Sequence, residues 1–393
     1  MLEGFRILEL GQVIAGTISG LILADLGAEV IKVESPQGDL GRNPTIADVG
    51  GMSAIFLSFN RNKKSVVINL KTEEGLQVFY DLVRRSDAVL DNFRPGVLER
   101  LKVDYAHLRE VNPQIISLSV SGFGSWGPLK DLPSFDLVHQ AISGHMSITG
   151  EPGRPPSRAG VPLADITTAM YAAHAALAAL LSRERTGQGR RLEVAMFDAQ
   201  LAVLGYIAAM FLVCGHIAEP PGSAHEYMVP YQAFPARDGY LVVSPREDRF
   251  WVRMCEVMGC EELAHDARFA TNDRRLQNRA ELIPLLEARF REKTVGEWLD
   301  LLVPAGVPAA PVNRLDAALT HPQVEARELI AEFDYPGYGR VRTVGNPIKE
   351  PETPPSPPEP PPTPGQHTEE ILRKMLGYGD EKVGELREKG AVA

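Results

Sequence analysis

The first 120 residues alternate between short apolar runs and helix-forming stretches, and this rhythm constrains the fold more than any other feature. Residues 6–10 read as a strand and 16–26 as a helix. Residues 29–34 read as a second strand and 65–70 as a third. Thr72 then caps a helix whose first turn carries Glu73 and Glu74. Runs at 88–91 and 114–120 are further short strands. Strands separated by helical crossovers pair in parallel, because each crossover returns the chain to the same edge of the sheet. The expectation is an α/β fold, with a Rossmann-like parallel sheet covered by helices in a large domain.

Two long helices follow, at about 162–183 and 197–214. The apolar run 199–214 is shorter than the ~20 residues that a membrane span needs, so it reads as a buried helix. The character changes near Pro220-Pro221-Gly222-Ser223. From there to about 325 the chain reads as a smaller α+β unit, with strands at 231–235 and 239–244 and helices near 248–258, 278–291 and 295–303. Residues 337–347 look like a returning strand and turn. Residues 351–364 are mostly proline and should form a stiff, extended connector over the surface. A last amphipathic helix, 367–375, precedes a charged tail. The resulting division is a large domain at 1–200, a linker helix and loop at 201–225, a small domain at 226–325, and a segment at 326–393 that rejoins the large domain.

A net charge of -10 over 393 residues argues against a general nucleic-acid or acidic-membrane partner. Cys214, Cys255 and Cys260 show neither a disulfide framework nor zinc-ligand spacing. Met1-Leu2-Glu3-Gly4 has no basic n-region. The expectation is a soluble cytoplasmic protein. Gly122-Phe123-Gly124-Ser125-Trp126-Gly127 matches a dinucleotide pattern, but Pro128 follows where a helix should open, so it reads as a loop over a ligand. His139 and His145 lack partners at metal spacing. Glu9 and Glu34, near strand ends, read as solvated carboxylates.

The segment Asp91-Asn92-Phe93-Arg94-Pro95-Gly96 follows a strand, so it lies at the carboxyl edge where open α/β sheets bind ligands. Lys71, Arg94 and Arg100 offer charge for phosphates, and Phe93 a stacking face for a base; a plain polar surface loop is the alternative. Gly160-Val161-Pro162-Leu163-Ala164-Asp165 runs into an alanine-rich helix. Two readings are open for Asp165: a helix N-cap, or an accessible carboxylate nucleophile at the positive end of a helix.

These segments, in this order, resemble the class III CoA-transferases, which include formyl-CoA transferase and carnitine CoA-transferase, with α-methylacyl-CoA racemase as a relative. The resemblance rests on Ala15-Gly16, residues 23–34, Asn60-Arg61-Asn62-Lys63, Leu70-Lys71-Thr72, residues 92–96, Ser121-Gly122-Phe123-Gly124, Phe135-Asp136, Gln140-Ala141-Ile142-Ser143-Gly144, Thr186-Gly187-Gln188-Gly189 and residues 365–372. It implies that Asp165 attacks an acyl-CoA thioester, giving a mixed anhydride and then further acyl intermediates on the same aspartate. The implied coenzyme A contacts are Ala15, Lys71, Thr72, Asn92, Phe93, Arg94, Arg100, Phe135 and Asp136. No metal or permanently bound cofactor is implied; acyl-CoA, plausibly succinyl-CoA, and a small carboxylic acid are the substrates. The resemblance also implies an interlocked homodimer, with the active site between the large domain of one subunit and the small domain of the other.

Departures from the family pattern narrow the reading. The racemase branch has a histidine where Phe135 stands, so α-proton exchange by a racemase is the alternative activity rather than the first. Ile14, Ser35 and Pro133 replace basic or polar groups of some transferases, which implies rearranged adenine and phosphate contacts. Residues 220–225 replace the glycine-rich loop of formyl-CoA transferase, which speaks against formyl and oxalyl substrates. A non-catalytic coenzyme A-binding paralogue is the third reading, and Asp165 in its matching context argues against it.

Overall fold

The computed structural model describes residues 1–43, 48–49, 51–352 and 357–393. The chain forms two compact units. The first comprises Met1–His145, Ala159–His216 and Val324–Ala393, and the second Met146–Arg158 and Ile217–Gln323.

Six parallel strands build the first unit: β1 (Arg6–Glu9), β2 (Glu29–Glu34), β3 (Lys63–Val67), β4 (Ala88–Asp91), β5 (Ile116–Ser121) and β6 (Arg190–Ala195). Their order is β3-β2-β1-β4-β5-β6. The chain therefore builds outward from β1 on one side and then reverses, leaving a switch point between β1 and β4. Loops leaving these two strands diverge, which opens a crevice at their carboxyl ends.

One face of the sheet is covered by α1 (Ala15–Asp25) packed on the long helix α2 (Leu163–Thr186). Ala169, Ala172, Ala173, Ala176 and Ala179 are buried, and their small side chains let α2 approach α1 and the strands. By length and composition α2 could cross a membrane. Here it packs on β5 and β6 as a layer of the sheet domain. On the other face, Val78, Phe79 and Leu82 pack with Ile371, Leu372, Val383 and Leu386 from the end of the chain.

Several expectations are corrected. The charged tail is a helix, Asp380–Glu388, held by buried Val383 and Leu386, and Val392 then bridges to Ile68. The proline connector is not wholly superficial: Pro361 and Pro362 are buried, and Arg42 Nη1 donates to Pro362 O at 2.9 Å. Residues 353–356 of that connector lie outside the described residues. The helix expected at 197–214 is two, Met196–Val203 and Tyr206–Cys214, bent by 79° at a break where Gly205 takes φ 56. The second of these contains no buried residue, although its sequence is apolar on every side. A strand preceding the expected one at 337–347 was also missed: Ile330–Tyr335 pairs with Gly339–Val344 as a hairpin.

The second unit has a three-stranded antiparallel sheet, Gln232–Pro235, Tyr240–Val243 and Ala309–Pro311. The helices Asp248–Met258, Arg279–Phe290 and Val295–Leu302 bury Trp251, Phe290 and Trp298 in its core.

Candidate active site

The loops after β1 and β4 are stitched together at the switch point. Gln12 N–H donates to Asn92 Oδ1, and Asn92 Nδ2 donates to Gln12 O, both at 2.9 Å. The approach is so close that a Cβ on Gly16 would lie 2.9 Å from Gly11 Cα and 3.0 Å from Asn92 Cγ. Val13 is held at φ 63, a strained conformation for a β-branched residue, with its N–H donating to Asp39 Oδ1 at 3.0 Å. Ala15 opens α1 and is buried.

After β4, Phe93 N–H donates to Asp91 Oδ1 at 3.1 Å, and the Phe93 ring packs on the core. Burial pushes the Asp91 carboxyl up to about 6, against the hydrogen bonds from Ser119 and Phe93. Arg94 and Arg100 are exposed and, among the described residues, have no ion-pair partner. Lys71 is exposed at the carboxyl end of β3. The Thr72 hydroxyl is committed to the helix behind it, accepting from Gly75 N–H at 3.1 Å and donating to Asn69 O at 2.9 Å.

Beneath these loops lies a buried ionic cluster, which corrects the reading of Glu9 and Glu34 as solvated. Glu9 is fully buried and accepts from Lys32 Nζ at 2.9 Å and Lys63 Nζ at 2.7 Å. Lys32 also pairs with Asp39 at 2.7 Å and donates to Gly11 O at 2.6 Å. Glu34 is held bidentately by Arg42 at 2.6 and 2.7 Å, and Ser65 Oγ donates to it at 2.6 Å. Asp39 also accepts from Gly41 N–H at 2.7 Å, so the cluster fixes the backbone of both loops that follow β1 and β2. The cost of burying these charges is offset by mutual pairing and backbone hydrogen bonds.

Asp165 is the third residue of α2. The N-cap position is Pro162, and Asp165 accepts none of the free N–H groups of the first turn, so the cap reading of Asp165 is corrected. β6 follows α2 and starts at the amino edge of the sheet. The helix therefore runs against the strands, and its first turn lies at the carboxyl edge, the same edge as Ala15, Asn92 and Lys71.

A second helix, Asp136–Ile142, fixes this turn. Asp136 Oδ1 accepts from Ala164 N–H at 2.7 Å, and its Oδ2 accepts from Gln140 Nε2 at 2.7 Å. Gln140 Oε1 in turn accepts from Ala159 N–H at 2.8 Å, and Nε2 also reaches Val161 O at 3.4 Å. The Asp165 carboxylate accepts no hydrogen bond among the described residues. Burial, then the neighbouring Asp136 charge, push its carboxyl up to about 7. Phe135, just before this helix, is 72% exposed. His139 is buried against the Phe123 ring, and burial holds its pKa down at about 4, so it is neutral.

The structure thus brings Ala15 together with Asn92 at the switch point, and Asp136 together with the turn that carries Asp165. Lys71, Arg94 and Arg100 lie at the same sheet edge, none of them ion-paired among the described residues. Sequence reasoning missed the structural parts of Gln140 and Asp39. For Gln140 a signal was available, since four residues separate it from Asp136 and place both on one helical face.

The profile of CoA-transferase family III matches residues 2–368. Succinyl-CoA:glutarate CoA-transferase of Homo sapiens is 38% identical over 392 residues, covering 100% of this chain and 90% of that protein. Succinate–glutarate CoA-transferase of Agrobacterium fabrum is 35% identical over 381 residues, covering 95% of each. A crystal structure of a CaiB/BaiF family protein from Brucella suis superimposes with a TM-score of 0.86 at 36% identity, covering 95% of this chain and 98% of that one. The chain belongs to CoA-transferase family III. It is a transferase that uses acyl-CoA and passes CoA to a carboxylic acid.

Proposed function

We propose that the enzyme moves CoA from succinyl-CoA to a small carboxylic acid through covalent intermediates on Asp165. The observation that carries this reading is a desolvated carboxylate, bare of hydrogen bonds, at the carboxyl edge of the sheet. Hydrogen bonds would spread its charge and blunt its attack. Their lack favours nucleophilic use, and the helix end beside it favours anions that form there.

The steps balance without a metal or redox group. Asp165 attacks the thioester carbonyl, the C–S bond breaks, and CoA thiolate leaves an aspartyl–succinyl anhydride. The thiolate attacks the aspartyl carbon, succinate departs, and an aspartyl-CoA thioester remains. The acceptor carboxylate displaces the thiolate to give a second anhydride. The thiolate then takes the acceptor acyl group and restores Asp165. In this reading Asn92 and the loop after β1 shape the CoA site, Arg94, Arg100 and Lys71 meet its phosphates, and Phe93 its base. Asp136 and Gln140 fix the turn that presents the nucleophile.

The activities of these relatives support succinyl-CoA as donor and a dicarboxylate such as glutarate as acceptor. Residues 1–200 serve as the CoA-binding domain and 226–325 as the smaller one, joined by 201–225 and the return segment 326–393. The enzyme works in the cytoplasm as an interlocked homodimer. The uncovered helix Tyr206–Cys214 supports the dimer, with Phe211, Leu212 and Val213 at 56%, 78% and 81% exposure. A fully active monomer by light scattering would count against the dimer. Hydroxylamine trapping in the presence of succinyl-CoA tests the mechanism: it should label Asp165 in the wild type and nothing in Asp165→Asn. A folded Asn variant that retains turnover would remove Asp165 from the chemistry.

A further inference from the structure

The helix Asp248–Met258 in the second unit ends in a turn that brings two thiols together. Gly259 takes φ 65, and Cys260 N–H bonds back to Cys255 O at 2.9 Å. This wrap presses side chains five residues apart against each other. Cys255 and Cys260 hold those two positions, and each is a free thiol. Both are buried, at 0% and 5% exposure, in one and the same core cluster.

Any two small apolar residues could make this contact; two sulfurs add redox chemistry to it. The surroundings also make the pair unequal. Arg289 Nε donates to Met258 O at 2.7 Å and Nη2 to Gly259 O at 3.0 Å, which sets the guanidinium beside Cys260. The neighbouring Cys255 thiol and this cation favour a Cys260 thiolate, against burial and the charges of Glu261 and Glu262. The neighbouring Cys260 thiol, then burial, push the Cys255 thiol up. Cys260 is therefore the attacking sulfur and Cys255 the resolving one.

We infer that Cys255 and Cys260 are an oxidisable pair that closes to an intrachain disulfide in the presence of a hydroperoxide. The Cys260 sulfur attacks the peroxide, an S–O bond forms, the O–O bond breaks, and hydroxide leaves with a proton as water. Cys255 then loses its proton and attacks the Cys260 sulfenic sulfur. An S–S bond forms, and the S–O bond breaks to release a second water. Two thiols are oxidised by two electrons, and the peroxide is reduced.

The test uses the full-length protein, reduced, treated with hydrogen peroxide, unfolded, alkylated and mapped by mass spectrometry. A reference peptide with one exposed cysteine, added to the same reaction, reports that the peroxide is active. At a dose that oxidises the reference peptide, the expected product is a Cys255–Cys260 linked peptide lacking two hydrogens and reversed by dithiothreitol. Cys260→Ser should leave Cys255 alkylatable, and Cys255→Ser should stop at a Cys260 sulfenic acid captured by dimedone. Cys255 and Cys260 both recovered alkylated from wild type at that dose, or a bridge to Cys214, would overturn the inference without recourse to any variant.

Discussion

Replacing Asp165 with asparagine should make the protein more stable at neutral pH while removing its activity. The folded carboxyl titrates at about 7, against 3.8 for an unperturbed group. That difference of roughly 3 units corresponds to about 4 kcal/mol at ~1.4 kcal/mol per unit, and relaxation of the turn and water at its rim reduce it to about 2–4 kcal/mol. The sign follows from proton counts. Between pH 4 and 7 the folded protein keeps a proton that the unfolded chain has released, so wild-type stability falls as pH rises and the penalty is complete above 7. Asparagine carries no charge and escapes the penalty. Nor is a cap lost, since Asp165 caps nothing.

Urea unfolding of both proteins at pH 5, 6, 7 and 8, at one protein concentration, measures the gap. It should widen by about 1 kcal/mol per pH unit up to pH 7 and then level off. A variant equal to or less stable than wild type at pH 8 would mean that the carboxylate is stabilised where it lies, and the argument from desolvation would fail. In the proposed mechanism the same proton governs the chemistry, so kcat/KM in the wild type should rise with pH through about 7 as the carboxylate ionises.

Gln140→Ala frees the turn before α2 by deleting bonds to Asp136, Ala159 and Val161. A fall in kcat of roughly tenfold or more is expected with KM for acyl-CoA little changed, and steady-state kinetics would show it. Glu9→Gln leaves Lys32 and Lys63 buried with one counter-charge fewer, and should cost about 3–5 kcal/mol in denaturant unfolding. Arg100→Ala should weaken acyl-CoA binding by about 1.5–3 kcal/mol in calorimetry, and unchanged affinity would take Arg100 out of the site.

Five of the six strands of the parallel sheet were legible because strands covered on both faces carry short apolar runs, as in Ala88-Val89-Leu90 and Val66-Val67. The edge strand Arg190–Ala195 was not, because its exposed start needs no such run. Glu9 and Glu34 were misread for a different reason. A strand-end carboxylate looks the same whether it meets water or a lysine. Only the register of β1 on β2, which sets Glu9 opposite Lys32, supplies the partner. The bend at Gly205 was likewise hidden, since nothing local distinguishes a glycine inside a helix from one that breaks it.

The same limit applies at Asp165, where the six residues before the helix admit both a cap and a nucleophile. The difference lies in Asp136, which is distant in sequence. Its carboxylate takes the Ala164 N–H that a capping side chain would otherwise use, and its charge then disfavours ionisation of Asp165. One carboxylate is satisfied by the backbone of the turn and by Gln140, and the other is left bare. A fold that used both aspartates for stability would have given each its donors. Concentrating the donors on Asp136 holds the turn in place and leaves Asp165 poorly solvated, the combination a carboxylate nucleophile needs.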